Sequence, residues 1–130
     1  MSAVIIKPIK LKMNEFVEEV TSTTEFVAVN ATDGAVFEMP DRDEKYIIGV
    51  QNTNQSSNVT ATIKAGDGLQ CAFGDVSHTL ATGEIAWITI DSGRFKNILG
   101  ENKGKVVIKG FAANGTTGTT DLKVKVIKLP

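Results

Sequence analysis

His78 is the only histidine in the chain, and a histidine acting as a general base needs an oriented partner within hydrogen-bond reach. Asp75 is the only acid close to it in sequence. That is too thin a constellation for acid–base catalysis, and His78 reads as a solvated loop residue. Cys71, the sole cysteine, lies in Leu69-Gln-Cys-Ala-Phe73, where a thiol behaves as a small buried hydrophobe rather than a nucleophile. Asp41, Asp43 and Glu44 form the densest acidic group, but Arg42 and Lys45 interrupt it. The spacing lacks the ligand repeat and glycine of a calcium loop, so a solvated turn is expected.

Gly66, Gly68, Gly100 and Gly104 match no phosphate-cradling motif and precede no helical pattern; they read as turns. Trp87 and Tyr46 have the flat rings on which sugars stack, yet each sits among aliphatic neighbours. Core packing is the expectation for Trp87, and a core position with the hydroxyl at the rim for Tyr46. Neither a catalytic centre, a metal site nor a cofactor is expected.

Elements must still position these residues, and composition bounds them. The 130 residues, 42% hydrophobic and 22% charged, suit a single β-domain spanning 1–130. A net charge of -1 argues against nucleic-acid binding, which gains affinity from clustered Lys and Arg. No apolar run approaches the roughly 18 to 20 residues that span a bilayer, so no membrane partner is expected. Met1 to Lys12 interleaves apolar residues with lysines rather than opening as a secretory leader. A chain made and kept in the cytosol is the expectation.

Along the chain the hydrophobic period is two. Ile9, Leu11 and Met13 alternate with Lys10 and Lys12, the pattern of a half-buried strand. Pro8 makes this an edge strand or extended arm over residues 1–13. Glu15 to Val20 reads as strand or loop. Phe26 to Val29 and Ala35 to Phe37 flank a turn at Asn30 to Gly34, predicting a hairpin. Tyr46 to Val50 predicts a central strand, paired antiparallel with Val59 to Ile63. Glu84 to Ile90 predicts another central strand, with Ile85 and Trp87 on one covered face and Ala86, Ile88 and Ile90 on the other. Phe95, Ile98 and Leu99 are expected to close one end of the core. Lys105 to Phe111 and Leu122 to Leu129 are the last strands, the final one with a bulge near its end. Short strands separated by turn signals predict an all-β fold, an antiparallel β-sandwich or barrel of jelly-roll or immunoglobulin-like kind.

Asp91-Ser-Gly-Arg-Phe-Lys96, the run Gly100 to Gly110, Ala61-Thr-Ile-Lys-Ala-Gly-Asp-Gly-Leu-Gln70 and the closing Lys123-Val-Lys-Val-Ile-Lys-Leu-Pro130 carry a resemblance. Together they resemble the small β-sandwich head proteins of tailed bacteriophages and prophages. The resemblance implies a capsid decoration role on the virion exterior, with the major capsid protein lattice as partner and the chain a monomer or trimer on the shell. It brings no catalytic residues.

For such a role Ile5, Ile6, Lys7, Ile9, Lys10, Leu11 and Lys12 of the amino-terminal segment are the expected partner-binding residues. Their apolar alternation runs on past what a compact domain needs, as though to add a strand to a neighbouring subunit. The alternative is a carbohydrate-binding or adhesive β-sandwich displayed on a virion, with the loops Asn52 to Asn58 and Asn114 to Thr120 as its contact surface.

Overall fold

The computed structural model describes residues 3–17, 26–68 and 71–130. Its strands are β1 (Val4–Ile5), β2 (Ile9–Lys10), β3 (Val27–Ala28), β4 (Ala35–Glu38), β5 (Tyr46–Asn52), β6 (Val59–Ile63), β7 (Val76–Leu80), β8 (Ile85–Ile88), β9 (Lys105–Phe111) and β10 (Leu122–Lys128). One helical turn, α1 (Ser92–Phe95), and short 3-10 turns at Asp43–Lys45 and Cys71–Phe73 punctuate them.

The strands form two sheets that pack face to face as a β-sandwich, with no closed barrel. Sheet I runs β1-β4-β9-β6-β7; sheet II runs β2-β10-β5-β8, with β3 also on β10. Period-two alternation places Ile48, Val50, Val106, Ile108, Leu122, Val124 and Val126 in the shared core, all nearly closed to solvent. Tyr46 and Phe37 meet there with ring centroids 6.0 Å apart. Most pairings are antiparallel, but β1 joins β4 and β2 joins β10 in parallel, so both sheets are mixed.

The amino-terminal segment divides between the sheets. β1 extends the edge of sheet I and β2 extends the edge of sheet II, with Pro8 between them, where no ladder donor is required.

Several sequence expectations are corrected. Residues 26–37 make no hairpin: β3 pairs with β10 and β4 with β9, leaving only a local Asn30–Gly34 bridge. Gly34 takes a φ of 71° there, and a Cβ at this position would run into the Ile108 carbonyl oxygen. Glycine is thus required both by conformation and by close approach. β5 and β6 also do not pair; they belong to opposite sheets.

β8 is an edge strand rather than a central one. No bulge ends β10, whose register with β5 is unbroken from Leu122↔Asn52 to Lys128↔Tyr46. Ile127 faces outward beside Ile47. Ile98 and Leu99 are exposed, and Phe95 alone of that trio is buried. Part of the expectation for Glu15 to Val20 and the start of the Leu69–Phe73 run lie outside the described residues.

Candidate functional site

The outer face of sheet II is built from the outward positions of three strands: Ile47, Gly49 and Gln51 on β5, Ile85 and Trp87 on β8, and Lys123, Lys125 and Ile127 on β10. Trp87 was expected in the core; it is 50% exposed, and Ile85 beside it 47%. The reason is position. In a two-layer sandwich sheet II has one covered face, so Ala86 and Ile88 turn toward the core and the alternate side chains go out, as they do on β5.

Gly49 is the register partner of both Trp87 and Lys125, and its missing side chain leaves a trough across the sheet. The six-membered ring of Trp87 fills it. A Cβ built on Gly49 would lie 2.5 Å from Cζ3 and 2.8 and 2.9 Å from the ring neighbours Cε3 and Cη2. Those spacings belong to a point above the ring face, so the indole lies flat on the sheet. Phe26, just before β3, stands against it edge-on, centroids 6.0 Å apart at 60°. The Lys125 ammonium lies 4.8 Å over the Phe26 ring, a cation–π contact. Trp87, Gly49, Lys125 and Phe26 thus form one row across the sheet. The sequence signal for it was a glycine in a strand opposite a position that an aromatic could cover.

The outer face of sheet I is polar along β6 and β7. Thr60 and Thr79 approach at 3.3 Å, Thr62 and Ser77 at 2.9 Å, and Lys64 and Asp75 at 2.8 Å, a ladder of rungs between β6 and β7. Burial pushes the Asp75 carboxyl up. Hydrogen bonds from the Lys64 ammonium and the Ala65 N–H, with the charges of Lys64 and Arg94, outweigh that and hold it below the usual carboxylate range.

His78 sits on β7 rather than in a loop, and the pleat separates it from Asp75. Val76, His78 and Leu80 oppose the inward residues Ile63, Ala61 and Val59, whereas Asp75 reaches the outer rung with Lys64. An acid–base pair is sterically prevented. His78 makes no hydrogen bond to any described residue, and it borders an apolar cleft of about 250 Å³ between the edges of β7 and β8, lined also by Ala61, Ile63, Val76, Ala86 and Ile88.

The acidic residues diverge as well. Asp41 forms an ion pair with Lys128, Arg42 lies 3.4 Å from Glu44, and Asp43 accepts from the Ser92 N–H at 3.0 Å. Among the described residues no group of His, Cys, Asp and Glu could hold a metal ion. No helix among them is long and apolar enough to cross a membrane.

The amino-terminal candidates separate into two classes. Ile6 and Ile9 are 4% and 6% exposed, built into the chain's own sandwich. Ile5, Lys7, Lys10, Leu11 and Lys12 point to solvent. Both strand additions in this segment are made to the chain's own sheets. No protein-family model, curated protein or solved structure matches the chain.

Proposed function

We propose that the chain is a structural module that binds the outer surface of an assembled tailed-phage capsid and stabilises it. The observation that carries this reading is the segment between Ile5 and Phe16. Ile5, Leu11, Met13 and Phe16 are exposed by 65%, 36%, 70% and 106%, interleaved with the exposed Lys7, Lys10 and Lys12. Apolar side chains held in solvent next to a row of cations suit a contact surface for an apolar and acidic partner. A capsid lattice offers such a surface many times over, so a modest contact per copy is sufficient for stable occupancy.

The segments that carry the resemblance act as scaffold in support of such a role. Asp91 accepts from the Arg94 N–H at 2.8 Å and caps α1, and Arg94 Nε donates to the Gly74 carbonyl at 2.8 Å. The guanidinium also covers the Phe95 ring at 4.8 Å. β10 is the spine of sheet II, bonded along its length to β5 and at its ends to β2 and β3.

The test is co-sedimentation with expanded tailed-phage heads, against isolated capsid subunits. Retention on heads alone, lost in an Ile5→Ser, Leu11→Ser variant that stays folded, is the expected result. Equal retention of that variant, or no retention of the native chain, overturns it.

A further inference from the structure

We infer that this chain associates with copies of itself head to tail, the Met13–Phe16 turn of one copy entering the apolar cleft between β7 and β8 of the next. Shell attachment is probed through Ile5 and Leu11, whereas this contact uses the outer end of the segment and is measured without a capsid, so either can fail alone.

The cleft is a gap in the side of the sandwich. β7 and β8 are the outermost strands of their sheets, and both line an opening of about 250 Å³. Its floor is core: Val50, Ala61 and Ile63, at 5%, 5% and 4% exposure. Val76 on β7 and Ala86 and Ile88 on β8 form the walls. A cavity of about 150 Å³ holds a benzene ring, so this opening takes an aromatic side chain with room beside it for a slimmer one. Neither edge is guarded. β7 and β8 contain no lysine, acid or proline and keep unbroken registers with their neighbours, so they lack the devices by which edge strands turn partners away. The edges on the far side are two-residue strands, with Pro8 between them and Lys10 in β2.

The occupant comes from that far side. Directly after β2, at the other end of sheet II from β8, the Glu15 N–H donates to the Lys12 carbonyl at 3.4 Å. Within this turn Asn14 has a φ of 59°, the only non-glycine at positive φ among the described residues, a conformation that asparagine tolerates. The turn holds Met13 and Phe16 out at 70% and 106% exposure. A flexible thioether and a phenyl ring, both in solvent, are the apolar complement of the cleft. Charge agrees with shape. The segment brings the exposed Lys7, Lys10 and Lys12. From Asp75 to Asp91 the chain has three acids and no lysine or arginine, and residues 18–25 and 69–70 add none. Asp75 is matched by Lys64, which leaves Glu84 and Asp91 to attract a cationic segment. Because turn and cleft belong to opposite edges, each copy uses its cleft toward one neighbour and its turn toward another, a heterologous contact that builds a ring or an open chain.

Sedimentation velocity of the full chain over a range of concentrations is expected to show association beyond a dimer. Phe16→Ser is expected to weaken it by about ten- to a hundredfold, the scale of withdrawing one buried aromatic side chain. Ala86→Leu, which fills the cleft from its wall, is expected to abolish it. The decisive sample is a mixture of the two variants. Phe16→Ser keeps a working cleft and Ala86→Leu a working turn, so together they are expected to form a one-to-one dimer and nothing larger, which a misfolded variant cannot do.

A native chain that stays monomeric at every concentration overturns the proposal. A saturable change in its Trp87 emission on adding decanoate would then assign the cleft to a small apolar ligand, since Trp87 borders it and is the only tryptophan. Association that Phe16→Ser leaves unchanged, or a mixture that fails to pair or grows past a dimer, overturns it equally.

Discussion

Asn52 Nδ2 donates to the Leu80 carbonyl oxygen at 3.0 Å, from a side chain wholly closed to solvent. The bond runs from the end of β5 in sheet II to the end of β7 in sheet I, tying the two layers where the sandwich would otherwise splay. The same amide donates to Ser57 and accepts from the Asn54 N–H, so it also shapes the loop that carries the chain between sheets. Asn52→Ala leaves these buried partners unsatisfied, and a loss of about 2–3 kcal/mol is expected. A urea midpoint that falls with an unchanged m-value is the measurement.

Two adjacent isoleucines separate core from solvent. Ile6 is 4% exposed and Ile5 65%. Ile6→Ala is expected to cost about 2–4 kcal/mol, and Ile5→Ala to stay within about 0.5 kcal/mol. Thermal melts of the two variants decide it. Equal losses would show that β1 leaves its edge in solution. Deleting the whole segment is therefore expected to lower stability, so exposed-residue substitutions are the cleaner probe of partner binding.

Arg94 braces the turn after β8 against the loop before β7, donating to the Gly74 and Asp75 carbonyls at 2.8 and 3.2 Å. Arg94→Ala is expected to cost about 1–3 kcal/mol. Arg94→Lys recovers only part, because a lysine cannot both stack on Phe95 and fork across two carbonyls. Hydrogen exchange of amides in residues 74–76 is expected to accelerate in the alanine variant.

Gly49→Ala places a methyl group where the Trp87 ring lies. The ring must lift off the sheet, with an expected loss of about 1–3 kcal/mol and a red shift of tryptophan emission as the indole gains water. Unshifted emission would mean that the trough is wider than the contact distances require.

Two pairs give the chain a shallow pH dependence. Asp41 is held below its ordinary value by its hydrogen bond to Lys128 and that residue's charge, against an opposing effect of burial, with Lys45 and Lys10 adding to it. Lys128 is raised by the same bond, again against burial. Asp41, like Asp75, contributes stability above the ordinary aspartate range that disappears as pH falls through its depressed value; Lys128 contributes below the ordinary lysine value and stops doing so as pH rises through its raised one. The gap between native and Asp41→Asn is thus expected to be small, widest around neutrality, and closed in strong acid and strong alkali. Urea midpoints across pH check the sign.

Much of the architecture was legible because alternation is local. Tyr46, Ile48 and Val50 on β5 and Leu122, Val124 and Val126 on β10 turn inward as their spacing required. The turn at Gly34 was legible for the same kind of reason, a conformation that glycine adopts freely. The β7 strand was missed because Val-Ser-His-Thr-Leu presents one strongly apolar residue at each end and polar ones between. Trp87 misled because Ile-Ala-Trp-Ile is apolar on both faces, which describes a central strand and an edge strand with an aromatic cover equally well.

By itself the sequence determined the strand-rich character, the inward residues and the absence of any local acid–base or metal-ligand spacing, since each follows from the order of residue types along an extended backbone. Only the tertiary structure decided which sheet each strand joins, that the amino-terminal segment serves both edges, and that Trp87 lies on Gly49 in the open. An inward-facing strand buries the same side chains in either sheet, so the choice of neighbour rests on packing across the core, which no local pattern records.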